Sequence, residues 1–413
     1  MMFLIKNIKE LIQVENECIP YRAGVKMQEL NTLKKAWLLI KNNKIHDYGE
    51  MSNLSLEAQQ ATEVIDAEGK MVFPCFCDSH THIVYANSRE IEYIDKIKGL
   101  SYEEIAKRGG GILNSVQRLR NMSEDDLFES AWERLEEIKN YGTGAVEIKS
   151  GYGLDTQNEL KMLHVIRRLK EKSELTIKAT FLGAHAVPAE YKGRQKEYVD
   201  LIINEMIPMV AGEGLADFID VFCDKGFFTV EETERMLMEG MKYGLRPKIH
   251  ANELDFSGGV QVGVKYNALS VDHLEYVGDA EISSLLHSET MPTVLPGAAF
   301  FLGMVHSPVR KMMNAGLPIA MASDFNPGSS PSGNMQLVLS MACIQYHMLP
   351  EEAINATTLN SAYAMDCSDT LGSITRGKIA NVFITKKIPT YEYMPYSYGN
   401  NKVERVILNG KLQ

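Results

Sequence analysis

A chain of 413 residues is long for one ordinary domain and fits a barrel carrying a smaller module. Its 43 basic against 54 acidic residues leave a formal net charge of −11, which excludes the basic footprint that nucleic-acid phosphates require. Apolar residues make up 45% of the chain, enough for a large core, and the mean hydropathy of −0.17 is that of a soluble protein.

The first residues hold a short apolar patch that Lys6, Lys9 and Glu10 interrupt, so no secretory signal is expected. Residues 1–70 read as β-rich: an apolar strand at 36–40 is followed by the turn-like Lys41-Asn42-Asn43-Lys44. From 75 onwards, apolar β-branched runs alternate with amphipathic helices. Eight core strands are expected near 75–84, 144–150, 176–184, 218–223, 247–251, 269–273, 292–295 and 318–323. Among the helices between them, one starts at Ser123, whose side chain can cap it, with Asp126 three residues on. Leu127, Ala131, Leu135 and Ile138 line its apolar face, and Gly142 follows its end. Gly109-Gly110-Gly111 reads as a rim loop and lacks the strand and lysine of a phosphate loop. The longest uncharged run, 290–309, carries Pro292, Pro296 and Pro308, which argue against a membrane helix and for a buried strand with its following loop. Short strands return at 380–385 and 403–408. This order predicts a (β/α)8 barrel over 71–374, with segments 1–70 and 375–413 pairing into one small β-sandwich. Cysteines 18, 75, 77, 223, 343 and 367 form no disulfide framework, and Cys75-x-Cys77 is too closely spaced for a zinc knuckle. All six are expected to be reduced thiols of a cytoplasmic protein.

The strongest local signal is Asp78-Ser79-His80-Thr81-His82, directly after an apolar run. Two histidines two residues apart on a strand share a face, and at the C-terminal end of a barrel strand that face points into the mouth. Taken alone, the pair is also what chance places on a β surface. Three further strand ends add to it: His250 with Glu253 three residues on, His273 after Asp272, and Asp324 after Ser323. A single histidine at such a place is more often a hydrogen-bonded core residue, but four such ends on one rim are hard to explain structurally. His80, His82, His250 and Asp324 can hold one cation and leave a position for water.

That pattern, HxH on strand one, His on strands five and six and Asp on strand eight, resembles the amidohydrolase superfamily. Many binuclear members carry a carboxylated lysine on strand four. Here Lys225 falls beyond the end of strand four and Lys149 lies on strand two, so one metal is expected rather than two. Longer strings resemble one branch of the superfamily, which opens the ring of 4-imidazolone-5-propanoate to N-formimino-L-glutamate in histidine degradation. They are Asp78 to His82 with Arg89, Glu147 to Gly153, Phe181 to His185, Asp220 to Phe227, His250 to Leu254, Asp272 to Tyr276, Leu295 to Phe301 and Asp324 to Ser329. Cys75, Ser79 and Asn252 depart from that branch, where Gly, Pro and Asp are usual; none removes a ligand.

The resemblance implies hydrolysis of the ring C–N bond by a metal-activated water, with one divalent or trivalent transition-metal ion, Zn or Fe, per chain. It implies Glu253, His273 and Asp324 as catalytic groups, with proton transfer not divided between Glu253 and His273. Arg89, seven residues past His82, would pair with the propanoate. Tyr152 and His185 would bind ring or tail, and Glu253, Asn326, Gly328 and Ser329 would complete the substrate pocket. The competing readings are a solvated carboxylate at Glu253, a surface arginine at Arg89 and a packing tyrosine at Tyr152. At the level of the whole protein, the rivals are a purine or pyrimidine aminohydrolase and a catalytically silent scaffold. The expected partner is the small-molecule substrate, with no nucleic acid and no membrane; a homodimer is the default assembly.

Overall fold

Each expected core segment is so apolar that it can be a strand only where both of its faces are covered. The computed structural model, which describes residues 2–100 and 111–413, places all eight in one parallel sheet, in chain order. The strands are Phe76–Thr81, Thr143–Lys149, Thr176–Ala184, Phe218–Cys223, Arg246–Ala251, Ser270–His273, Met291–Val294 and Ala320–Met321. Each is hydrogen-bonded to the next in parallel register. The first and last strands close the ring through residues just beyond the strand ends. Asp324 N–H donates to His80 O at 3.0 Å, and His82 N–H donates to Phe325 O at 2.9 Å. The Asp78 carboxylate seals the seam by accepting Ser323 N–H at 2.9 Å and the Ser323 hydroxyl at 2.5 Å. The architecture is a (β/α)8 barrel whose seam lies at its HxH motif.

The connecting helices obey their sequence signals. Helix Glu124–Asn140 is capped by Ser123, whose Oγ accepts Asp126 N–H at 3.1 Å, and it buries Leu127, Ala131, Leu135 and Ile138. The uncharged run supplies the seventh strand, but its remainder is not only loop: Pro296 opens a short helix, Pro296–Leu302, because its fixed φ suits a first helical position. Gly109 and Gly110 lie outside the described residues. Gly111, at φ 87°, directly precedes helix Ile112–Asn121.

The chain ends form a second, mostly antiparallel sheet. Its N-terminal hairpin joins Thr32–Lys41 to Lys44–Glu50 through Asn42 and Asn43, both at positive φ (50° and 65°), as a tight hairpin turn demands. Side chains from both chain ends, among them Ile5, Leu38, Val382 and Ile407, meet in one core. Strand Met71–Pro74, expected within the barrel, pairs instead with Val382–Thr385 of this module. The apolar run there is continuous through Phe76, so nothing in it marks where one sheet hands over to the other. All six cysteines are free. Among the described residues no helix is long and apolar enough to cross a membrane.

Candidate metal centre and its cavity

The C-terminal ends of the barrel strands bring the sequence-selected histidines together. Donor atoms of His80, His82 and His250 lie within 4.8 Å of one another, and all three residues are buried. Asp324 Oδ1 is 3.5 Å from His80 Nε2 and 3.6 Å from His82 Nε2. The Asp324 backbone sits at φ 54° and His273 at φ 83°, conformations that side-chained residues adopt at an energetic cost of about 1–3 kcal/mol. That strain turns both residues off their strand ends at the mouth.

Whether these residues suit a metal ion can be judged from their unmet valences. His80 Nε2 and His250 Nε2 are buried with no hydrogen-bond partner among the described residues. A buried polar atom left alone costs on the order of 1–3 kcal/mol, so converging unpaired ring nitrogens mark a place built for a ligand. Carboxylates stand beneath the inner nitrogens: His80 Nδ1 is hydrogen-bonded to Asp272 Oδ2 at 2.6 Å, and Asp220 holds the His250 backbone, accepting its N–H on Oδ1 at 3.1 Å, with Oδ2 3.0 Å from His250 Nδ1. This leaves the outer nitrogens as acceptors. Burial, reinforced by Lys149 or by neighbouring histidines, holds His80, His82 and His273 well below the ordinary histidine range. Neutral imidazole is the form that binds metal. The donor set fits one ion.

Around this cluster lies a cavity of about 830 Å³. Its lining includes the expected Arg89, Tyr152, His185, Glu253, His273 and Asp324, and also Asn326, Gly328 and Ser329. Glu253 is 8% exposed and its Oε2 lies 3.7 Å from His273 Nδ1. Burial, with Asp324 and Asp224 nearby, pushes its carboxyl up to about 8. His185 stacks on His82 with ring centres 5.2 Å apart, and its Nδ1–H donates to Gly151 O at 3.0 Å. Burial, followed by the neighbouring His250, lowers His185 to about 3. The Tyr152 ring centre is 5.5 Å from that of His185. Arg89 is not a free surface residue: Nε donates to Glu92 at 2.7 Å, and an added methyl on Gly328 would overlap its guanidinium.

The loop after Asp324 has two functions. The Asn326 amide is consumed in shaping it, accepting Gly328 N–H at 2.7 Å and Ser329 N–H at 2.8 Å and donating to Asp324 O at 2.7 Å. The Ser329 hydroxyl donates to Asp324 Oδ2 at 3.0 Å, leaving Oδ1 to face the histidines. Lys225 stands outside the site, 75% exposed and paired with Asp255. Lys149 is fully buried among Glu147, Asp220 and Asp272. Burial alone would lower its pKa, yet those carboxylates hold it above the ordinary lysine range.

Sequence reasoning overlooked Asp220 and Asp272 as the holders of His250 and His80, Asp224, which accepts the Glu253 backbone N–H at 2.7 Å, and Glu92 on Arg89. A signal for some of them was present. Glu147 and Lys149, Lys248 and His250, and Ser270 and Asp272 each lie two apart on a buried strand, the same spacing as His80 and His82.

A parallel eight-stranded barrel with this histidine and carboxylate cluster at its C-terminal mouth is the architecture of a metal-dependent hydrolase. The chain belongs to the amidohydrolase family, whose model matches residues 123–412. Among solved structures, a triazine hydrolase variant superposes with a TM-score of 0.76 at 16% identity, covering 100% of this chain and 94% of that one. A mutant atrazine chlorohydrolase from Arthrobacter aurescens, complexed with zinc and atraton, gives 0.74 at 15% identity, covering 99% of this chain and 94% of that one. Much nearer in sequence are imidazolonepropionases. That of Christiangramia forsetii is 55% identical and that of Flavobacterium johnsoniae 53%, each over 412 residues and 100% of both chains. That of Thermoanaerobacter pseudethanolicus is 41% identical, over 98% of this chain and 96% of its own.

Proposed function

We propose that the chain hydrolyses the ring C–N bond of 4-imidazolone-5-propanoate to N-formimino-L-glutamate, using one transition-metal ion held by His80, His82, His250 and Asp324. The observation that carries this reading is the convergence of unpaired histidine nitrogens, Asp324 and Glu253 in a cavity that Arg89 also lines. Kinship at 53–55% identity with imidazolonepropionases supports the choice of substrate.

An ion held by these residues would supply a Lewis acid, lowering the pKa of a water towards neutrality and placing positive charge opposite a developing oxyanion. The chain's own groups do the rest. Glu253 takes a proton from the attacking water and returns it to the ring nitrogen as the C–N bond breaks. His273, within reach of Glu253, steadies the oxygen on which charge develops. Arg89 pairs with the propanoate, sharing or exchanging its contact with Glu92. Tyr152 and His185 bound the ring, and Gly328 leaves room for the guanidinium. Zinc in the atrazine chlorohydrolase neighbour makes zinc the first ion to test, with iron second. The reaction belongs in a soluble, cytoplasmic setting, in keeping with free cysteines.

The test is turnover of freshly prepared imidazolone propanoate, monitored by loss of its ultraviolet absorbance and by product identity. Formimino-glutamate is expected. Ammonia as the primary product, or no turnover by metal-loaded protein, would overturn the reading.

A further inference from the structure

Directly beneath the imidazoles, the barrel buries five charged side chains where an apolar layer would ordinarily sit. Glu147, Lys149, Lys248 and Asp272 are 0% exposed and Asp220 is 1% exposed. Lys149 Nζ lies 2.6 Å from Glu147 Oε1, 2.8 Å from Asp220 Oδ2 and 3.8 Å from Asp272 Oδ2. Lys248 Nζ meets Glu147 Oε2 and lies 3.9 Å from Asp272 Oδ2. It also donates to Ser79 O at 2.9 Å and to Ala364 O at 3.2 Å. Burying ion pairs rarely adds stability over well-packed apolar residues, so a layer of them calls for another role.

The contacts point to one. The two carboxylates that the lysines hold, Asp220 and Asp272, are the same two that meet the inner nitrogens of His250 and His80. Asp272 is fixed on its other oxygen by the Ser270 hydroxyl at 2.5 Å. Lys248 grips the backbone of the HxH strand one residue before His80.

We propose that Lys149 and Lys248 are positioning residues for the metal ligands: they fix Asp220 and Asp272, which orient His250 and His80 so that their outer nitrogens converge on one ion. This rests on the metal reading above and adds that affinity for the ion is set one level below the ligands.

The test is zinc affinity by chelator competition on the full-length protein, with far-ultraviolet circular dichroism and thermal unfolding as controls. Lys149→Met should remain folded and bind zinc about 10–100-fold more weakly, the usual loss when a group that orients a metal ligand is removed. Arg22→Met is the comparison, since Arg22 forms a buried pair with Glu15 at 2.7 Å, away from the ligands. It should lose stability yet keep zinc affinity within about twofold. Should Lys149→Met not fold, Asp272→Asn, which keeps shape and removes charge, should show the same 10–100-fold weakening. Zinc affinity in the folded variant equal to that of Arg22→Met would overturn the proposal. Parent protein that binds no zinc or iron would overturn both this and the metal reading.

Discussion

Two neighbouring levels of the barrel interior are almost equally hidden from water, yet their polar atoms meet opposite fates. At the level of Glu147, Lys149 and Lys248, each charge faces an opposite one within hydrogen-bonding distance. At the mouth, His80 Nε2, His250 Nε2 and His273 Nδ1 have no hydrogen-bond partner among the described residues. Burial alone therefore does not mark a functional group. Convergence does: single unpaired atoms such as Thr143 Oγ1 and Ser130 Oγ are scattered through the interior, but among the described residues only at the mouth do several ring nitrogens without partners stand together within reach of one ion. On the proposals above, the lower level serves as scaffold and the upper level as site.

The sharpest way to break that contrast is to make one chemical change at both levels. Glu147→Gln removes from the scaffold the carboxylate shared by both lysines, leaving Lys149 with Asp220 and Lys248 with two backbone carbonyls. Removing one partner of a buried pair costs about 3–5 kcal/mol, and denaturant unfolding should read a loss of that size. Glu253→Gln, at the mouth, whose ion-pair neighbour His273 Nδ1 is 3.7 Å away, should change unfolding less than Glu147→Gln does and should retain metal. Its turnover should fall about 10²–10⁴-fold, as on losing one placed acid–base group. Near-full activity in Glu253→Gln would transfer the proton shuttle to His273.

A smaller effect sharpens the reading of the cavity rim. Arg89→Met should lose about 1.5–3 kcal/mol in kcat/KM on the natural substrate and little further on an analogue lacking the carboxylate. The two changes should be strongly non-additive, since both remove the same contact. Losses that simply multiply would mean that Arg89 does not hold the tail.

Smallest of all is Gly328→Ala. The added methyl meets the movable end of Arg89 rather than backbone, so stability should change by no more than about 0.5 kcal/mol. KM for the carboxylated substrate should rise while kcat holds. A large loss of stability instead would show that Gly328 serves the loop and not the arginine.

The sequence was most informative where a residue's type, spacing and place on a strand agreed. Strands Thr176–Ala184 and Phe218–Cys223 fall where the apolar runs predict, and the Ser123 cap forms as read. The histidines at 80, 82 and 250 were legible because alternation and strand ends aim them at one point. Pairings across the barrel were not legible: Asp272 lies 192 residues from His80 in sequence, and no local pattern joins them. The resemblance implied Asn326 as a pocket group; it lines the cavity, and its amide is also engaged in shaping the loop, which no local pattern announced. The handover at 71–74 was hidden because one apolar run serves two sheets.

On the proposed function, unpaired nitrogens of His80, His82 and His250, with Asp324, hold a single ion. Elemental analysis of protein purified without chelators tests it directly, with mass spectrometry of the lysines alongside. One zinc or iron per chain is expected, with Lys149 and Lys225 unmodified, since the first is locked among carboxylates and the second stands outside the site. Two metals per chain with either lysine carboxylated, or a protein that binds none, would contradict it.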